Sequence, residues 1–292
     1  MSESLAAASL GGWNVAPGVT LPLAVTIALY VRGRRVLRAR RMHGRSATDA
    51  VDEGWRVAAF GGACAALAVA LLSPLDAISD DLFTAHMIQH ELLMAVAAPL
   101  FVAARPGVPM LWALPLAARR AIGRVLASVP TRTIWRALTR PFDAWLLHAA
   151  VIWVWHIPRC FQFALESEAI HVFQHVSFLG SGLLFWWAIV HPRRRAALGL
   201  SIVYLFTTAL HTAALGALLA TAHAPWYPAY GERATHWGFT ALEDQQLAGL
   251  VMWIPAGAAY LIAALLIVRR WLRATGWQLQ NIEPAESPEA IL

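Results

Sequence analysis

Seven apolar segments, separated by connections whose charge alternates in sign, constrain this sequence more than any other feature. They fall near residues 15–31, 57–74, 83–104, 142–157, 169–190, 198–220 and 247–268. About 20 apolar residues let a helix cross the hydrocarbon core of a bilayer. A chain in lipid must also satisfy its own backbone hydrogen bonds, which a helix does within itself. The expected fold is therefore all-α: a polytopic membrane helix bundle of seven transmembrane helices, one domain over residues 1–274, followed by a polar tail at 275–292. Only 14% of the residues are charged and 59% are hydrophobic. A soluble globular domain carries about 25% charge, so soluble and intrinsically disordered chains are excluded together.

The arginines set the expected orientation. Eight lie in the 32–56 connection, seven in 105–140, three in 191–195 and three in 269–273, whereas the alternate connections hold only Arg159 and Arg233. Those alternate connections are acidic, with Asp76, Asp80, Asp81, Glu166, Glu168, Glu232, Glu243 and Asp244. The positive-inside rule then puts the N-terminus outside and the C-terminus in the cytoplasm. The net charge of +6, which comes from arginine with no lysine, is thereby a topology signal. With no soluble domain to carry a basic groove, no nucleic-acid partner is expected. The N-terminus lacks a positive stretch before its first apolar run, so a cleaved signal peptide is not expected. Within 105–140, VPMLWALPLA is too short to span, and AARRAIGRVLASV is basic and amphipathic. That pattern suits a helix lying on the inner leaflet or a docking surface for a partner.

Histidine is the residue type placed most informatively. His86 and His90 stand at i and i+4 near the outer end of the third segment, as do His171 and His175 in the fifth. Residues four apart share a helix face about 6 Å apart along the axis, a spacing that lets two imidazoles bind one metal. His156 ends the fourth segment at the outer side, and His211 lies within the sixth. Ionisable groups inside a bilayer are costly and mark functional sites. Three readings stay open for them: a metal or haem site, hydrogen bonds between helices, and a proton relay. Around the histidines, Gln89 and Gln174 could orient imidazoles, and Glu91 could act as hard ligand, base or histidine partner. Met94, on the His86–His90 face, adds a thioether that favours copper. Cys64 and Cys160 form no CxxC motif. In the last outer connection, Trp226, Tyr227, Tyr230 and Trp237 fit an interfacial aromatic belt. Asp244 and Gln245, within EDQQ, could cap a helix or close the mouth of the histidine site.

The two H-x-x-Q-H motifs sit in similar surroundings. SPLDAISDDLFTAHMIQH and IPRCFQFALESEAIHVFQH each run from a proline through a short acidic stretch to the motif. Together with WVWHIP, HTAALGALL, PWYPAY and LEDQQLAGLVMW, these segments resemble the CtaG-type cytochrome c oxidase assembly factors, over nearly all of 57–268. The resemblance implies a seven-span protein of the bacterial inner membrane that helps make an active haem–copper oxidase by supplying copper. It also implies oxidase subunits or copper chaperones as partners. The motif histidines map onto His86, His90, His156, His171, His175 and His211, which are the expected metal ligands. A haem-binding electron-transfer protein and a metal-dependent membrane enzyme, in which Glu91 or Asp244 would be the base, are the alternatives.

Overall fold

The computed structural model describes residues 12–40, 47–191 and 197–280. Every regular element among them is helical. The first two are α1 (Pro17–Arg40) and α2 (Ala47–Leu72), followed by α3 (Pro74–Ser79) and α4 (Phe83–Glu91). A π-helical turn (Leu92–Ala97) leads into α5 (Ala98–Ala104), then α6 (Gly107–Ala113), α7 (Leu116–Ala127) and α8 (Val129–Leu138). Next come α9 (Pro141–Trp155), α10 (Pro158–Glu166), α11 (Glu168–Val190) and α12 (Ala197–Ala220). Two short 3-10 turns, Pro228–Tyr230 and Ala234–Trp237, precede α13 (Ala241–Gln280).

Among the described residues, five helical stretches are long and apolar enough to cross a membrane: 52–72, 83–104, 168–190, 198–220 and 241–272. The segments expected at 15–31 and 142–157 are also helical, as α1 and α9, but they fall short of that measure. At about 1.5 Å per residue, the 15 residues of α9 reach roughly 22 Å, less than the ~30 Å hydrocarbon thickness. Both helices nevertheless present apolar side chains outward, among them Leu21, Val25 and Ile27 on α1 and Leu146, Trp153 and Val154 on α9. The last span does not stop near 268, because α13 runs unbroken to Gln280 through Pro255. The remainder of the expected tail, 281–292, lies outside the described residues, as does Arg193–Arg195 of the 191–195 connection.

Prolines punctuate the helix starts. Pro74, Pro130, Pro141 and Pro158 each occupy the first turn, where a missing N–H removes nothing the helix needs. The 105–140 stretch folds as three short helices, and neither α7 nor α8 buries a residue. Arg119 lies over the Trp112 ring at 4.0 Å, so the stretch covers one end of the bundle rather than entering it.

Small residues let α12 and α13 cross closely. A Cβ at Gly216 would meet the Gly249 carbonyl at 2.6 Å, and one at Gly249 would meet the Gly216 carbonyl at 2.5 Å. Only glycine allows α12 and α13 that approach. On the other side, α11 packs on the π turn, where the Trp186 indole donates to the Met94 carbonyl at 2.8 Å. Both H-x-x-Q-H motifs follow the same local layout, a short proline-started helix turning into a long one: α3 into α4, and α10 into α11.

Candidate metal centre

The two motif helices bring their histidine faces together. Within each pair the ring centroids are 4.4 Å apart. Across the interface His86 stacks on His171 at 5.2 Å, and His90 meets His175 edge-on at 5.2 Å. One ring nitrogen from each of His86, His171 and His175 lies within 4.8 Å of the others. Among the described residues this is the one group of three or more His, Cys, Asp or Glu donors that close together. Metal–imidazole bonds of about 2.0–2.1 Å hold two ligand nitrogens no more than about 4.2 Å apart, so small side-chain adjustments bring the three onto one ion. His86 and His90 are fully buried, whereas His171 and His175 are half-buried. Access is therefore from the α11 side.

His156 is buried beside this group, next to Phe178, whose ring also touches His90. Its Nδ1 lies 2.7 Å from the Ile152 carbonyl, which can only accept. Nδ1 must carry the proton, so Nε2 keeps a free lone pair. A similar device fixes His86. The Tyr230 hydroxyl lies 3.3 Å from both the Ser79 carbonyl and His86 Nδ1. The phenol has one proton and the carbonyl none, so both contacts are made only if Tyr230 donates to Ser79 and His86 Nδ1 donates to Tyr230. Burial pushes the Tyr230 phenol well above its ordinary value, which keeps that proton in place. Nε2 of His86 is left as the lone-pair donor.

His211 stands apart from this group. Its ring lies 6.1 Å from Trp145, on the side of the bundle that also holds His148. His148 in turn contacts the Ser181 hydroxyl at 3.0 Å. His223 and His236 are exposed.

The surrounding residues divide. Gln174 is fully buried near His86, and its amide makes no hydrogen bond to the ring. Gln89 faces the other way, donating to the Ala70 carbonyl at 2.7 Å and the Asp76 carboxylate at 2.9 Å. It joins α4 to α2 and α3 instead of orienting an imidazole. Met94 packs with Phe178, Leu215 and Met252 in the apolar core. Glu91 lies within electrostatic range of Tyr260. Cys160 is half-buried and Cys64 buried, both as free thiols.

All four polar residues before the last span are engaged. Glu243 accepts from the Thr240 N–H at 2.8 Å, while its own N–H bonds the Thr240 hydroxyl at 3.2 Å. This is a capping box at the start of α13. Asp244, 1% exposed, caps a different helix: it accepts from the Phe83 and Thr84 N–H groups at 2.7 and 3.0 Å. Leu82, the local N-cap of α4, has no side chain able to do this. Gln245 accepts from the Trp226 N–H at 2.6 Å, and Gln246 donates to the Ala222 carbonyl at 3.1 Å. Together they fasten the 221–240 connection over the histidines.

Tyr227 and Tyr230 are not an interfacial belt. Both are buried, packed with Phe83 and Phe161 as a roof over His86. Tyr227 donates to the His156 carbonyl at 2.8 Å. Sequence reasoning missed this role. The available signal was PWYPAY, where two prolines hold the aromatics in a rigid turn.

Residues 28–274 match the cytochrome c oxidase caa3 assembly factor family, Caa3_CtaG. The chain belongs to that family. The matched region contains all six expected ligands and the Tyr230 roof. Two uncharacterised mycobacterial proteins, from Mycobacterium bovis and Mycobacterium tuberculosis, are each 26% identical over 288 residues, covering 89% of this chain. The matched region is 42% of each relative's length, so the chain spans less than half of these curated relatives. No solved structure matches it. The family is one of cytochrome c oxidase assembly factors, and the apolar helices are those of a membrane protein.

Proposed function

We propose that this assembly factor holds copper as cargo on His86, His171 and His175, with His90 and His156 beside them, and passes it toward a cytochrome c oxidase subunit. The observation that carries this is the meeting of the two H-x-x-Q-H faces, with three donor nitrogens within 4.8 Å of one another. An unpartnered buried polar atom costs roughly 1–3 kcal/mol, and these five histidines leave six ring nitrogens without a protein partner. Interhelical glue would pair them, whereas a bound metal ion satisfies several at once. The preset tautomers of His86 and His156 aim lone pairs rather than N–H groups, as metal ligation requires. An all-imidazole set accepts copper among other transition metals. Rings in direct contact, roofed by Phe83, Phe161 and Tyr230, leave no slot for a porphyrin between them, which favours an ion over haem.

The half-buried His171 and His175 give the exchange face, where an oxidase subunit or a copper chaperone would dock near Asp76 and Asp80. In this reading that end of the bundle faces outward across the bacterial inner membrane, with the N-terminus outside and the C-terminus inside. Metal analysis with an absorption spectrum on the purified protein tests it. About one copper per chain is expected, with loss of most of it in His86→Ala and His175→Ala while both variants stay inserted and folded. A Soret band would replace copper by haem. A wild-type protein that never binds metal yet needs these histidines for oxidase assembly would make the site a protein-docking surface.

A further inference from the structure

At the end of the bundle opposite the histidines lies a second built site. The Asn14 N–H bonds the Leu72 carbonyl at 2.8 Å, near Asp76 and the histidine end, and α1 and α2 run antiparallel from there. Some twenty residues farther along α1, a cavity of about 280 Å³ opens between α1, α2 and α6. Among the described residues, Arg34, Arg38, Arg56 and Arg105 line it together with the carboxylate of Glu53. Arg56 also faces the exposed Asp52 at 3.7 Å on the outer side.

The cluster is organised. One Glu53 oxygen takes both Arg34 and, at 2.9 Å, Arg38. Arg34, 11% exposed, is further held by its contact with the Tyr30 hydroxyl at 3.3 Å. Leu37, on the same helix as Arg34 and Arg38, and Val108, on α6, add an apolar portion to the lining.

Arg105 supplies the most specific sign. It is the one non-glycine residue at positive φ among those described, with φ 50° and ψ 54°. A helix C-terminus of this form ordinarily takes glycine, which adopts it without strain. Here an arginine is kept instead, its Nε donating to His191 Nε2 at 2.8 Å and its side chain lining the cavity. Positive-inside topology needs arginines near this end, but not at a left-handed position and not converging on one cavity.

We infer that this cavity binds a phosphate-bearing anion, with guanidinium groups on the phosphate, and with Leu37 and Val108 against an adjoining apolar portion. Guanidinium is the side chain best matched to phosphate, and among the described residues four of them against Glu53 and the exposed Asp52 leave a positive surplus for an anion to neutralise. A phospholipid headgroup and a free phosphate compound share this chemistry.

Two arms separate the sources. The full-length protein, delipidated in neutral detergent, is offered phosphatidylglycerol or phosphatidylcholine, and retained lipid is counted by native mass spectrometry. In parallel, inorganic phosphate against chloride at equal ionic strength is tested for protection against thermal unfolding. The variants are Arg105→Gly, which relieves the backbone strain and keeps the fold, and Arg38→Gln, on a side chain 58% exposed. Each removed arginine should weaken anion binding roughly fivefold. Preferential phosphatidylglycerol retention lost in both variants assigns the site to a lipid headgroup. Phosphate protection lost in both, with the two lipids retained equally, assigns it to a soluble phosphate. Equal behaviour of wild type and both variants in both arms overturns the inference.

Discussion

His86 and Tyr230 show how one residue sets the chemistry of another. The hydroxyl of Tyr230 holds the His86 ring in the tautomer that leaves Nε2 for a metal. Removing a group that orients a ligand typically costs 10–100-fold in metal affinity. Tyr230→Phe should therefore keep the roof packing and the fold but weaken copper binding by about that factor, measured by competition with a chelator of known affinity. An unchanged affinity would assign Tyr230 to packing alone. Asp244 acts at the same scale through backbone amides, closing the start of α4 from 160 residues away. Losing a cap costs about 1 kcal/mol, up to about 2. Asp244→Ala should lower the melting temperature in detergent and loosen the helix that carries His86 and His90. Glu243→Ala, which affects only the start of α13, should do less. Equal shifts in the two melts would contradict the long-range cap.

Among the helices, the α12–α13 crossing tolerates little added volume. A methyl at Gly249 would sit 2.5 Å from a carbonyl oxygen and 2.6 Å from the Ala220 nitrogen. Neither is a flexible side-chain tip, so the helices must part. Overpacking of this kind costs about 1–3 kcal/mol. Gly249→Ala should destabilise the protein by that order. Gly257→Ala on the same helix meets nothing within 4 Å and should be neutral or slightly stabilising, as alanine favours helix by up to about 1 kcal/mol. Thermal melts of the two variants side by side check this. Parting these helices would also slacken the 221–240 connection, because Gln245 and Gln246 anchor it to α13.

For the whole molecule, arginine asymmetry and the separation of the two candidate sites make one statement about orientation. The arginine-lined cavity and the α7–α8 helices lie at the end away from the histidines. Reporter fusions at 122, in α7, and at 163, in α10, should report cytoplasm and exterior respectively. The reverse result at either position would place the histidine cluster on the cytoplasmic side and remove delivery of copper to an outer client.

Periodicity and composition alone determined that this chain is all-helical and apolar enough for lipid. Backbone hydrogen bonding in a bilayer allows little else to a sequence with these segments. The i,i+4 spacing also determined that each histidine pair shares a face, because helix geometry is local. That the two faces meet is a matter of tertiary packing, seen in the ring contacts of His86 with His171 and of His90 with His175. Other assignments depended wholly on tertiary structure. Gln89 and Gln174 occupy the same place in two similar motifs, yet one reaches a carbonyl of α2 and the other lies beside His86. His211 reads as a sixth member of the cluster, but the rotation of α12 sets it against Trp145. Asp244 reads as a cap for its own helix, and that place is taken by Thr240 and Glu243. In each case the side chain's partner lies on an element far away in sequence, and which partner it meets depends on how helices rotate and cross. A single sequence encodes that only through the sum of its packing contacts, whereas helical spacing is written in five consecutive residues.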